Sequence, residues 1–156
     1  MSLEQFSLDW SVVGYHLILL GVAYILALPI GFNREQHSRS AGLRTFPLVA
    51  ISTCGFMLVG MDVFQDQNAQ SKALQGIITG MGFVGGGAIL KGERVVNGLT
   101  TAVSLWTTGA IGIAVACQRF EIAIVLSLLT FITLAFGPDA KQSLIEDCED
   151  GDARGD

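Results

Sequence analysis

Charged side chains in this sequence are concentrated at the ends of long apolar segments, where a few of them could act together. Arg34 and Glu35 follow one apolar segment, and Arg44 and Thr45 begin the next. Because a helical hairpin brings the end of one helix close to the start of the next, we expect an ion pair here. Such a cluster could bind an ion or act as a gate. Alternatively, it could only anchor helix ends at a membrane interface, if the apolar segments cross one.

Two carboxylates are candidates for metal ligands. Glu35 and Glu93 lie in loops that we predict to be on the same side of the molecule. Mg²⁺ is usually held by one or two carboxylates together with water. The pattern has little specificity, since any loop can carry a Glu. We therefore predict no cofactor, and Mg²⁺ stays open as a ligand.

A second polar group lies inside an apolar segment near residues 99–117. At 100° per residue, its hydroxyl side chains fall within an arc of roughly 140° on a helix. They are Thr100, Thr101, Ser104, Thr107 and Thr108. Each hydroxyl could bond to a carbonyl of its own helix. The alternative is a polar lining or a seam between helices.

Glycines are unusually frequent in residues 73–90. The four-residue spacing of Gly82 and Gly86 would let a neighbouring helix approach closely. Three consecutive glycines at 85–87 cost roughly 1 kcal/mol each relative to Ala in a helix. They could instead unwind the helix and form a site, as in discontinuous membrane helices. We expect packing at Gly82 and unwinding at Gly86.

The elements that would position these residues are apolar helices. The chain has 156 residues, of which 51% are hydrophobic and only 15% charged. Apolar runs of this length are typical of membrane spans. The sequence thus predicts an all-α membrane protein, a bundle of five transmembrane helices within 10–137. The predicted spans are about 10–32, 45–61, 73–90, 99–117 and 121–137.

The positive charges predict an orientation. Three arginines lie in the first loop, and Lys91 and Arg94 lie in the third, whereas the second loop has only Lys72 and the fourth only Arg119. Loops rich in Lys and Arg stay in the cytoplasm. We therefore place residues 1–9 outside, as a short periplasmic N-terminus, and the C-terminus inside. The acidic tail at 138–156, which begins at a proline, is predicted to be disordered and cytoplasmic.

Several classes of protein are disfavoured. The three cysteines have no zinc spacing and suggest no disulfide framework, which favours a reducing compartment. The sequence contains no HExxH or Walker A motif and no nucleophile with a neighbouring base, so we do not predict an enzyme. With a net charge of -5, the chain is not expected to bind nucleic acid.

Three motifs together resemble the MgtC/SapB family of bacterial inner-membrane proteins. They are "GFNREQHSRSAGLRTFPLV" at 31–49, "GMGFVGGGAIL" at 80–90 and "NGLTTAVSLW" at 97–106. The resemblance covers residues 10–137 and implies a plasma-membrane location. It points to Arg34, Glu35, Arg44 and Thr45 as functional positions. Asn97 stands where the family often has a basic residue, and Thr100 where some members have Asn.

The resemblance also implies a role. It favours a regulatory or interaction protein linked to Mg²⁺ homeostasis, growth at low Mg²⁺ or virulence. The alternative is a small oligomeric transporter or channel that uses the Gly-rich third helix and the hydroxyl stripe. The expected partners are the lipid bilayer, further copies of the chain, or another membrane protein complex. Many family members continue into a folded C-terminal domain, and we expect none here.

Overall fold

The computed structural model describes residues 9–37, 41–91 and 96–152. In these ranges the fold is all-helical except for one short antiparallel pair of strands. The helices are α1 Trp10–His37, α2 Thr45–Val63, α3 Gln67–Gly87, α4 Leu99–Ala116 and α5 Phe120–Asp152. Strands β1 Leu90–Lys91 and β2 Val96–Asn97 pair between α3 and α4, with Leu90 opposite Asn97. The predicted all-α class and the five helices are confirmed.

The first helix begins at a side-chain cap and extends further than predicted. The Asp9 carboxylate accepts hydrogen bonds from the Ser11 hydroxyl at 2.6 Å and from its backbone N–H at 2.9 Å. The hydroxyl bond lowers the pKa of Asp9 below its usual value. The cap is therefore intact at neutral pH and is lost in acid. Pro29 lies inside α1, which continues to His37, so Arg34 and Glu35 are on the helix rather than in a loop.

The third helix is regular through its three consecutive glycines. It starts at Gln67, because the Asp66 carboxylate caps it by accepting from the Ala69 N–H at 3.3 Å. It ends with the Ile89 N–H donating to the Gly86 carbonyl at 3.2 Å. The predicted unwinding at Gly86 is therefore wrong. The helix is supported here by α4, since a Cβ on Gly85 would lie 3.3 Å from the Ala102 carbonyl oxygen.

The glycines at 82 and 86 do not pack within the chain. Both are exposed, and no described atom would lie within 4 Å of a Cβ on either. The predicted close approach of a neighbouring helix is therefore not seen in the described structure. The glycine that meets a neighbouring helix is Gly85, which is buried and lies on another side of α3.

The fifth helix continues past the predicted end of its apolar span. α5 runs through Pro138 to Asp152, so residues 138–152 are helical, in contrast to the predicted disorder. The fixed φ of proline is compatible with a helix, although its missing N–H weakens the turn. The following Lys141, Gln142, Leu144 and Glu146 are good helix formers, and this propensity outweighs the acidic composition. Residues 153–156 lie outside the described ranges.

The fourth helix is the centre of the bundle. It contacts α1, α2, α3 and α5. The core around it includes Ile30, Phe46, Cys54, Ile111 and Val115. At the crossing with α2, a Cβ on Gly112 would overlap the Ala50 carbonyl oxygen and the Thr53 hydroxyl. The α2 and α4 backbones are thus as close as glycine permits.

The start of α4 depends on a second glycine. Gly98 has a φ of 87°, in the left-handed region that side-chain-bearing residues rarely adopt. A Cβ there would also overlap the Ala88 carbonyl oxygen. Gly98 therefore turns the chain from β2 into α4, in contact with Ala88 at the end of α3. This turn fixes the position of the first residues of α4, which include Thr100 and Thr101.

The outer surface of the bundle is apolar. Large side chains such as Phe83 at 87%, Trp10 at 77% and Phe136 at 67% are exposed. Among the described residues, three helices are long and apolar enough to cross a membrane, namely α1, α2 and α4. α5 contributes a shorter apolar stretch, Phe120–Phe136. Exposed apolar surface of this extent, on helices long and apolar enough to cross a bilayer, indicates a membrane protein.

Candidate functional site

The end of α1 is tied to the start of α4 by a hydrogen bond between side chains. The Nη2 atom of Arg34 donates to the Thr101 hydroxyl oxygen at 2.7 Å. Arg34 is half-buried, and its Nε atom is fully enclosed without a described hydrogen-bond partner. Thr101 is only 1% exposed. A hydrogen bond to a charged group is among the stronger ones in proteins, so this partly buried contact fixes α1 against α4.

Glu35 organises the turn between α1 and α2. Its carboxylate accepts a hydrogen bond from the Leu43 backbone N–H at 3.0 Å. A Cβ on Gly42 would overlap this carboxylate, so glycine is required for the contact. The Gly42 carbonyl in turn accepts from the Thr45 and Phe46 N–H groups at the start of α2. Glu35 thus holds the loop that begins α2.

The expected ion pair is not formed among the side chains described. Arg34 bonds to Thr101, Glu35 bonds to a backbone N–H, and no described carboxylate pairs with Arg44. The helix ends do converge as predicted. The difference arises because α1 continues to His37, which turns Arg34 towards α4 and Glu35 towards the loop. The described ion pair is Arg119–Glu121, which is exposed and therefore contributes little to stability.

Arg44 and Thr45 lie at the opening of a separate feature. Arg44 is exposed immediately before α2, and Thr45 is the half-buried first residue of the helix. Both line one end of a groove between α2 and α3. The remaining lining is nearly all apolar, so this arginine is the cationic end of an apolar groove.

The hydroxyl side chains of α4 are mostly satisfied within their own helix. Ser104 donates to the Thr100 carbonyl at 2.7 Å, Thr107 to Val103 at 3.0 Å and Thr108 to Ser104 at 2.8 Å. Ser104 and Thr108 are buried, whereas Thr100 is exposed. Bonding to the own helix is therefore confirmed for three of the hydroxyls, and Thr101 forms a contact between helices.

The metal-ligand hypothesis gains no support from the described residues. No group of three or more His, Cys, Asp or Glu side chains that could hold a metal is found among them. Glu93 lies outside the described ranges, so its predicted proximity to Glu35 stays a prediction. The backbone of Asn97 lies in β2, one residue before the Gly98 turn.

Some residues that shape the site were not singled out from the sequence. Asn33 is 8% exposed and precedes Arg34 on α1. The sequence could have indicated this residue, because it is a polar side chain about one turn before the end of an apolar helix. Ser127 on α5 donates to the Leu26 carbonyl of α1 at 2.6 Å. No spacing pattern in the sequence indicates the importance of Gly112, which arises only from the close crossing of α4 with α2.

The opposite end of the molecule is closed by another pair. The Gln118 side-chain amide donates to the Tyr15 hydroxyl, which joins the α4–α5 loop to the first turns of α1. Gln118 itself has a φ of 58°. The Arg34–Thr101 contact and the Tyr15–Gln118 contact thus mark the two ends of the bundle, with the end of α1 and the start of α4 at the first.

The sequence can be compared with known proteins. Residues 20–143 match the model of the MgtC family. Among curated relatives, Protein SrpB of Synechococcus elongatus is 35% identical over 81% of this chain and 75% of its own length. The Putative magnesium transporter YhiD of Escherichia coli is 34% identical over 76% of this chain, and 58% of its length is covered. Protein MgtC of Brucella abortus is 38% identical over 67% of this chain and 43% of its length.

No solved structure matches the chain. The family match nevertheless runs from the middle of α1 into α5 and includes the Arg34–Thr101 contact, the α1–α2 turn and the Gly-rich α3. Residues that the geometry brings together thus fall inside the matched segment. This chain is a membrane protein that belongs to the MgtC family.

Proposed function

We propose that this protein is a multi-pass protein of the bacterial inner membrane that acts in Mg²⁺ homeostasis as a regulatory or interaction protein. The link to Mg²⁺ is supported by the name of the relative YhiD, a putative magnesium transporter. The chain spans 58% of YhiD and 43% of the Brucella abortus MgtC, so activities of those whole proteins transfer only as proposals.

The observation that carries the regulatory role is the burial of three hydroxyl side chains of α4. Thr101, Ser104 and Thr108 are buried, and their hydroxyls are engaged by Arg34 or take part in bonds to carbonyls of α4. A conduction path through a single chain would need these groups to face water. Instead, Thr101 joins α4 to α1, and the Ser104 and Thr108 hydroxyls are satisfied within α4. This arrangement suits a rigid body that presents its surfaces to other proteins.

We further propose that all five helices cross the membrane, with the N-terminus outside and the C-terminus inside. The Arg-rich turn after α1 and the start of α4 lie at one end, where loops rich in Lys and Arg favour the cytoplasm. A reporter active only in the periplasm should give a signal when fused after residue 67 and none after residue 138. The reverse pattern would contradict this orientation.

If the role is regulatory, the protein should support growth at low Mg²⁺ without transporting ions itself. In a strain that lacks its own MgtC-family protein, expression of this chain should restore growth at low Mg²⁺. The purified protein in liposomes should carry no Mg²⁺, K⁺ or H⁺ above the background of empty vesicles. Protein-dependent Mg²⁺ flux would contradict the regulatory proposal and favour transport. Growth that is unchanged by the chain would argue against a role in Mg²⁺ homeostasis.

One observation favours transport by an oligomer as the second candidate. A groove of about 430 Å³ lies between α4 and α5 and is lined by Thr100, Thr107, Thr130 and Thr133. If this groove faced another copy of the chain, its threonine hydroxyls would line an ion path between the two copies. In a cysteine-free background, Thr107→Cys should then react with a water-soluble maleimide, whereas the exposed apolar position Leu128→Cys should not. Equal lack of labelling would exclude a water-filled path here.

A further inference from the structure

A long groove lies between α2 and α3. Its volume is about 740 Å³, within the range of sites that bind small molecules. It follows α2 from its first residue, Thr45, to Phe64 just beyond its end, and it is open to the outside of the bundle. Leu48 and Phe56 on its rim belong to the exposed apolar surface. The groove is therefore continuous with the surface that meets lipid.

The glycines of α3 create the space in this groove. At the loop end, α2 and α3 are in contact, since a Cβ on Gly60 would lie 3.3 Å from the Ala73 Cβ. Further along, Gly76 and Gly80 line the groove, and a Cβ on either would meet no described atom within 4 Å. These two glycines thus do not bring helices together. They leave a channel along α2 with an apolar wall.

Arg44 gives the groove a charged end. It lines the groove at the N-terminus of α2, where the helix dipole is positive. Among the side chains described, no carboxylate forms an ion pair with Arg44, and the Glu35 carboxylate is bonded to the Leu43 N–H. A guanidinium at the head of an apolar channel is complementary to an amphiphile with an anionic phosphate head.

We propose that this groove binds an anionic phospholipid, with one acyl chain between α2 and α3 and the phosphate on Arg44. Because the groove is open and exposed apolar side chains line it, a membrane lipid has direct access to it. The apolar wall accounts for the acyl chain, and Arg44 for the headgroup charge. The site is separate from the Arg34–Thr101 contact and does not depend on the regulatory role proposed above.

Lipid retention measured by native mass spectrometry tests this site. The purified protein would be titrated with phosphatidylglycerol and with phosphatidylcholine that carry identical acyl chains. We expect phosphatidylglycerol to bind roughly fivefold more tightly, the effect of one favourable Arg–lipid charge interaction. Arg44→Gln should remove this preference while both lipids still bind. Arg119→Gln, at another exposed arginine, should leave the preference intact.

Two glycines of α3 provide a matched pair of substitutions that tests whether an acyl chain occupies the groove. Gly80→Leu places a side chain inside the groove and should abolish retention of both lipids. Gly82→Leu lies two residues away, outside the groove and equally open, and should retain them like the unmodified protein. If Gly80→Leu does not fold, Gly76→Leu fills the same groove.

Three results would overturn the proposal. They are an anionic preference that survives Arg44→Gln, lipid retention that survives filling of the groove, and retention lost equally in Gly82→Leu. Competition with inorganic phosphate distinguishes the source of the anion. Displacement of the lipid by millimolar phosphate alone would mean a phosphate site rather than a lipid site.

Discussion

Gly112→Ala should prevent stable packing of the bundle. The added Cβ would overlap the Ala50 carbonyl oxygen and the Thr53 hydroxyl at the crossing of α2 and α4. A backbone carbonyl cannot rotate away, so the helices must separate. Overpacking typically costs about 1–3 kcal/mol, and we expect the upper end of that range here because backbone atoms must move. We expect a large fall in the melting temperature in detergent and a loss of monodisperse protein.

Matched glycines on α1 provide the control for this substitution. Gly14→Ala and Gly21→Ala introduce the same methyl group where no described atom lies within 4 Å. They should leave the melting temperature unchanged or raise it, because Ala favours a helix by up to about 1 kcal/mol. Adding Thr53→Ala to Gly112→Ala should rescue little, since the Ala50 carbonyl remains. A melting temperature of Gly112→Ala equal to that of the α1 controls would show that the crossing is looser than described.

Thr101→Val should have the second largest effect. It keeps the shape of the buried side chain but removes the hydroxyl that accepts the Arg34 hydrogen bond at 2.7 Å. The partly buried guanidinium then loses this acceptor, at a cost of about 1.5–3 kcal/mol. We expect a lower melting temperature and weaker support of growth at low Mg²⁺, at unchanged membrane levels.

A double-mutant cycle separates this contact from general packing. Thr101→Ser keeps the hydroxyl and should retain most of the stability. Arg34→Met removes the charge, after which adding Thr101→Val should cost little more, because the hydrogen bond is already gone. Additive losses in the double variant, or a Ser variant as damaged as the Val variant, would show that Arg34 and Thr101 act independently.

Many features of the fold could be read from local patterns. The apolar runs predicted five helices, and α2 and α4 begin at the predicted Thr45 and Leu99. These starts are visible because apolar length, charge and turn residues are properties of short segments. The spacing of Arg34, Glu35 and Arg44 also marked the helix ends that converge. Local patterns misplaced the end of α5, since a proline and an acidic composition do not by themselves end a helix.

Local sequence patterns could not predict the hydrogen-bond partner of each site residue. The sequence indicated that Arg34, Glu35 and Thr101 matter, but it predicted an ion pair between the end of α1 and Arg44 at the start of α2. In the structure, Arg34 bonds to Thr101, 67 positions away, and Glu35 to a backbone N–H. Five further residues of helix at the end of α1 change the direction of these side chains, and such an extension has no strong local signal.

The sequence by itself determined an apolar five-helix protein of the MgtC family, with its charged residues at the helix ends. Only the tertiary structure decided which glycines are needed for packing: Gly85 and Gly112 lie against neighbouring helices, whereas Gly82 and Gly86 do not. The physical reason is that a lipid-facing helix is apolar on every side, so hydrophobic periodicity does not show which face meets a neighbour. That choice depends on how all the helices pack together, with α4 at their centre.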